Sequence, residues 1–533
     1  MNHIRTIAAP HCMALVLALL TGLLLSACSS NNNTASSGDP SIVQVAQGSL
    51  QGIVSASGRQ FLGIPFAAPP VGDLRWKAPQ SPASWSSTRD ATQMGSRCPQ
   101  VATPLGNAAG DNEDCLYLNV YTPVPSASAR PVMVWLHGGS FSIGSGNDYP
   151  GDVMAATGNV IVVTVNYRLG PFGFLALKGL QSEDSHGSTG NYGVLDQLAA
   201  IQWVHDNIAQ FGGDPDNVTL FGESAGSFSI CGHLASPLTA GLFQKAIMES
   251  GPCSGGAMSL SDAESYGKSF SARSSLGCDS LIASDVVSCM RGKSADEIIA
   301  AETPQEQQAL SFALGIVLDN YFLTQGPGDA IKSGQYNAVP VISGTNHDEG
   351  KLFVALIYDL FVPPVPLTNE VYDTAVESTI KQFDPQFALF APLITPLLAA
   401  QYPLANYPAP AGYDPDLAPA HSALAALMTD SAFSCPELSS DGLFAGTTQP
   451  LYAYEFDDPN PPRPFTDNDI PPPLAGHAGE LVYVFQAPLE GGAISPDQFT
   501  PDQLALSTNM MQYWTNFATS GNPNGAGLPQ WPQ

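Results

Sequence analysis

The feature that most limits what this chain can fold into is a junction. The apolar run Val218-Thr219-Leu220-Phe221 enters Gly222-Glu223-Ser224-Ala225-Gly226, and the residues after it can continue as a helix. A buried strand that turns this sharply into a helix has no room for side chains beside the turning residue, so glycines flank it, and the serine hydroxyl is left exposed at the strand's end. With 50 glycines in the chain the pentapeptide alone is weak, and the strand before it supplies the weight. The same alternation runs along the chain. Residues 116–121, 132–136, 160–165, 218–222 and 340–344 are short β-branched runs between helical stretches, the pattern of buried parallel strands. Between them, Val194, Leu198, Ile201, Val204 and Ile208 mark an amphipathic helix over 194–209. The expected class is α/β, a central mostly parallel sheet flanked by helices.

The pattern breaks at a few places. Residues 42–45 and 52–54 read as a small leading hairpin or sheet edge. Residues 363–419, rich in proline, alanine and leucine, read as a helical cap over the mouth of the site, and 459–473 as a proline-rich loop. No repeat of fixed period occurs, and 44% hydrophobic against 12% charged residues suits one large buried core over 41–533.

The first 27 residues stand apart: Arg5 precedes the apolar run 13–25, and Ser26, Ala27 and Cys28 follow. This is the pattern of an export signal, with a run too short for the ~20 residues of a membrane span. Leu25-Ser26-Ala27-Cys28 resembles the lipobox of bacterial lipoproteins, which implies cleavage before Cys28 and its acylation; ordinary cleavage near Ala27 is the alternative. Residues 28–40 then form a flexible tether. The expected location is outside the cytoplasm, anchored by lipid or secreted. A formal net charge of −29 argues against nucleic-acid partners and leaves the N-terminal lipid as the one expected membrane contact.

Export favours disulfides, and no C-x-x-C or His-rich spacing suggests a metal or cofactor. Cys98 with Cys115 and Cys278 with Cys289 would each close a short loop. Cys231, on an apolar stretch, reads as a buried free thiol, which leaves Cys253 with Cys435 as a weaker third pair.

A serine hydroxyl needs a base to take its proton, and acyl transfer needs donors for the oxyanion. His137-Gly138-Gly139-Ser140-Phe141, after the strand 132–136, frees backbone N–H groups to point into a site. Further segments extend the pattern: 61–67 (Phe-Leu-Gly-Ile-Pro-Phe-Ala), Leu74-Arg75-Trp76, 113–119 (Glu-Asp-Cys-Leu-Tyr-Leu-Asn), Asn166-Tyr167-Arg168, Asn191-Tyr192-Gly193, Phe211-Gly212-Gly213-Asp214-Pro215 and 513–518 (Tyr-Trp-Thr-Asn-Phe-Ala). With these the chain resembles, nearly end to end, the type-B carboxylesterases, the family that includes cholinesterases and several lipases.

The resemblance implies an α/β-hydrolase fold and assigns roles. The family's acid falls on Glu349 of Asp348-Glu349-Gly350, its histidine on His477 of Gly476-His477-Ala478-Gly479-Glu480, and its nucleophile on Ser224. The implied oxyanion donors are the N–H groups of Gly139, Ser140 and Ala225, with Ser140 where the family often has Gly or Ala. Glu223 and Glu480 match glutamates that hold the site. His233, His137 and His205 are poorer candidates for the base. A neutral histidine base implies a rate that falls on the acid side of about pH 6 to 7.

The implied reaction is hydrolysis of small-molecule esters through an acyl-enzyme, with short to medium acyl chains and Phe141 near the acyl pocket. The loop between Cys98 and Cys115 holds no aromatic residue, so the cation–π platform that cholinesterases offer a quaternary ammonium is missing. An amidase or lipase with the same site, and a binding module on the same fold, are the alternatives. Family members usually continue beyond the residues that match Trp531-Pro532-Gln533.

Overall fold

The β-branched runs become the middle of a nine-stranded sheet. In a computed structural model that describes residues 39–532 apart from 104–107, 126–127, 256, 281, 308–313, 360–365, 384–387, 412, 463–474 and 490–494, its strands are β1 (Ile53–Val54), β2 (Gly58–Pro65), β3 (Tyr117–Pro123), β4 (Arg130–Leu136), β5 (Ile161–Val165), β6 (Gly213–Glu223), β7 (Lys245–Glu249), β8 (Val341–Asn346) and β9 (Leu451–Phe456). The spatial order is β9-β8-β7-β6-β4-β5-β3-β2-β1. Neighbours from β9 to β5 are parallel, and the pairings that add β3, β2 and β1 are antiparallel. Residues 42–45 form a hairpin with Gly48–Gln51, and 53–54 form the sheet's edge, so the leading segment supplies both.

Two-residue periodicity sorts the core. Val132, Val134 and Leu136 of β4 face one apolar cluster while Met133 and Trp135 face another, and β7 divides the same way at Ala246, Ile247 and Met248. The first cluster is covered by α1 (Tyr192–Asn207) and α2 (Ala225–Ala235). The second lies under the helix Leu481–Phe485 and the long C-terminal helix Pro501–Ser520. Burying both faces explains why the strands read as continuous apolar runs.

The proline-rich region forms α4 (Tyr372–Phe383), α5 (Ala391–Gln401) and α6 (Ala418–Met428). They enclose a separate apolar cluster with α3 (Gly350–Val354), the short helix that follows Glu349.

Cys98–Cys115 and Cys278–Cys289 are bonded as expected. The other cysteines correct the reading: Cys231 pairs with Cys253, and Cys435 is exposed and has no disulfide partner among the described residues. Cys231 lies on α2 with its Cα 5.2 Å from that of Cys253 just beyond β7, within disulfide range. Burial on an apolar stretch suits a disulfide as well as a thiol. The leader, Cys28 and 463–473 of the proline-rich loop lie outside the described residues.

Candidate active site

β6 ends at Glu223 and α2 begins at Ala225, so Ser224 makes the whole turn, at φ 53° and ψ −120°. A non-glycine residue held there costs about 1–3 kcal/mol. The turn is fixed by the Ser224 N–H donating to the Glu249 carbonyl (2.8 Å) and the Phe228 N–H to the Ser224 carbonyl (2.9 Å). A Cβ on Gly226 would overlap the Leu136 carbonyl at the end of β4, so the sheet itself demands glycine there.

Glu349 lies three residues past the end of β8, at the N-cap of α3, fully buried. Its Oε1 accepts the Asn346 N–H (2.7 Å), and its Oε2 lies 2.6 Å from Nδ1 of His477. The rings of Phe353 and Phe433 flank His477 at 4.9 Å each. The other nitrogen, Nε2, is 3.1 Å from Glu223 Oε1. Burial pulls the His477 pKa down, but the charges of Glu223 and Glu349 and the hydrogen bond to Glu349 outweigh it and raise the pKa to about 9. Glu223, read as a group that holds the site, faces Nε2 directly.

Ser224, Glu223 and His477 line one cavity with Gly138, Gly139 and Ser140. The glycine loop is bent back on itself, with Gly139 at φ 101° and Ser140 at φ 51°, and a Cβ on Gly139 would overlap the Ile143 carbonyl. Gly139 and Ser140 line the cavity beside Ser224, and among the described residues no backbone carbonyl in turns or loops accepts their N–H groups or that of Ala225. His137 stacks on Tyr167 (4.3 Å), whose hydroxyl donates to the His137 carbonyl (2.7 Å), and burial lowers its pKa to about 4. It braces the loop and stays neutral. His233 is buried against Gln197 and His205 pairs with its neighbour Asp206, both away from the cavity.

Several supports escaped sequence reasoning. Asn346 bonds the Gly476 carbonyl (2.8 Å) and Glu480 Oε2, joining β8 to the His477 turn. Burial and the charge of Glu349 raise the Glu480 pKa to about 7, against the Asn346 bond. Trp514 Nε1 donates to Glu249 (3.0 Å), whose pKa burial pushes well up. Gln100 bonds both the N–H and the carbonyl of Gly144 (2.8 Å each), so the Cys98–Cys115 loop clamps the glycine turn that follows β4. No spacing rule finds these, because each joins distant segments. Phe141 is corrected: it is buried in the core against Phe174, and the cavity's apolar wall is Ile143, Leu352, Phe353 and Leu356.

A strained serine between a parallel strand and a helix, at the edge of a cavity with a buried histidine and carboxylates, defines an α/β-hydrolase. Comparison with known proteins narrows the class. The carboxylesterase family model matches residues 39–533. Human cocaine esterase is 36% identical over 493 residues, covering 90% of this chain and 82% of its own, and mouse acylcarnitine hydrolase is 36% identical over 501 residues, covering 91% and 83%. Among solved structures, a thermophilic PNB esterase superposes with a TM-score of 0.73 at 34% identity, covering 93% of this chain and 94% of its own. The chain belongs to the carboxylesterase family, and it is a serine carboxylic-ester hydrolase.

Proposed function

We propose that Ser224, His477 and Glu349 act as nucleophile, base and acid in the hydrolysis of short to medium acyl esters. What supports this reading is the 2.6 Å pairing of His477 Nδ1 with Glu349, with His477 and Ser224 lining the same cavity. His477 takes the hydroxyl proton as Ser224 attacks the ester carbonyl, then gives it to the departing alcohol. Glu349 orients and stabilises the imidazolium. The N–H groups of Gly139, Ser140 and Ala225 hold the oxyanion, and water repeats the sequence on the acyl-enzyme. The apolar wall of Ile143, Leu352, Phe353 and Leu356 suits an alkyl acyl chain.

Residues 1–27 direct export, Cys28 is the acylated mature terminus, and 28–40 tether a catalytic domain of 41–533. Three disulfides fit an oxidising compartment, and no described helix is long and apolar enough to cross a membrane. Release of p-nitrophenol from acyl esters, acetate through palmitate, tests the reading: turnover should be highest among the short and medium chains and vanish in Ser224→Ala. A preference for palmitate, or activity retained in the variant, would refute it. Mass spectrometry of the N-terminal peptide separates an acylated Cys28 from a free terminus.

A further inference from the structure

α5 is apolar on two faces. Ala391, Ile394 and Leu398 turn inward, onto the cluster that also holds Leu352, Phe353 and Leu356 of the cavity wall. The other face is open. Leu389 and Phe390, just before the helix, and Leu393 and Leu397 within it are 91%, 55%, 73% and 67% exposed. Spacings of three and four residues put these side chains on one side of the helix. A contiguous apolar patch of this kind marks a contact surface, unlike single exposed leucines.

The charge distribution narrows what the patch can touch. The formal net charge is −29, yet no Asp, Glu, Lys or Arg lies between Asp384 and Asp414. A polyanionic body is repelled by an anionic surface, and this segment can meet a neutral one without desolvating a charge. The chain ahead of the fold supplies such a surface. If Cys28 is acylated, the 28–40 tether holds the body within at most about 45 Å of a bilayer. An 11-residue helix is too short to span ~30 Å of hydrocarbon but suits the interface.

We propose that the open face of α5 rests on a zwitterionic lipid surface, setting the cap and the cavity wall behind it against apolar esters dissolved there. The lipid anchor proposed above supplies the surface, but the test does not depend on it. The chain from Ser29 onward, which lacks both the apolar leader and Cys28, is sedimented with phosphatidylcholine vesicles at millimolar lipid, beside the same chain with Leu393→Gln and Leu397→Gln. Both leucines are exposed, so the fold is undisturbed and turnover of soluble p-nitrophenyl acetate should not change.

The expected result is vesicle binding by the first chain and at least tenfold weaker binding by the second. No sedimentation of the first chain, or equal sedimentation of both, overturns the proposal. So does a dimer, seen by light scattering, that the two substitutions dissociate, since a second copy then covers the face. An unmodified Cys28 together with vesicle binding would sink the anchor reading and leave this one standing.

Discussion

Glu223→Gln should move the acid limb of kcat/KM down the pH scale. With the His477 pKa near 9, about one ring in a hundred is neutral at pH 7, and only that fraction can accept the serine proton. Activity should therefore rise with pH through the high limb. The substitution keeps the shape of the side chain but removes a negative charge 3.1 Å from Nε2. One opposite charge at such range shifts a pKa by ~1–3 units, at about 1.4 kcal/mol each. Burial then pulls the ring further toward the neutral form, and only Glu349 and Glu480 oppose it. The limb should fall to about pH 6 to 8, and kcat/KM at pH 7 should rise roughly tenfold or more. The assay is kcat/KM for p-nitrophenyl acetate from pH 5 to 10 for both proteins. A wild-type limb below pH 7, or a limb that Glu223→Gln leaves in place, would refute the reasoning.

Gly139→Ala places a Cβ against the Ile143 carbonyl at φ 101°, and distortion of one oxyanion donor should lower kcat by ~10²–10³ with the fold retained by circular dichroism; an unchanged kcat would remove this loop from the oxyanion site. Non-reducing peptide mapping should recover Cys231 linked to Cys253, and replacing both with alanine should cost ~2–5 kcal/mol in denaturant unfolding; a map linking Cys253 to Cys435 would contradict the fold. Burial lifts the Glu437 pKa to about 8, against a hydrogen bond from Ser343. A carboxyl raised in the folded state stabilises below its unfolded value near 4.5 and loses that contribution as pH climbs through about 8. Glu437→Gln should therefore flatten the decline in Tm between pH 5 and 8.5, and an equally steep decline would count against the shift.

Much of the fold was legible because strands buried on both faces must be apolar throughout. Residues 132–136, 160–165 and 340–344 each match a strand to within two residues at either end. The strand read at 218–222 starts earlier, at Gly213, because Asp214, Pro215 and Asp216 hide its first residues from any hydrophobic pattern. The elbow was legible because its geometry tolerates few residue types. Glu349 and His477 were not: a carboxylate in a turn and a histidine between small residues are ordinary until a family pattern picks them out. The Cys231 pairing was missed because a buried disulfide and a buried thiol share one sequence signature. The Glu223 charge beside Nε2, which raises the limb now predicted, was not legible because it is a property of the folded site, as are the links from Asn346, Trp514 and Gln100.

The central claim, that Ser224 is the nucleophile that His477 activates, is tested most directly by covalent capture. The mature protein is treated with a fluorophosphonate and digested, and the adduct is located by mass spectrometry beside Ser224→Ala and His477→Ala. The account requires one phosphonyl group per chain, on Ser224, with ester turnover lost in step with labelling, no label in the serine variant and a rate of labelling cut by orders of magnitude in the histidine variant. An adduct on another residue, or full activity in a chain whose Ser224 is labelled, would contradict it.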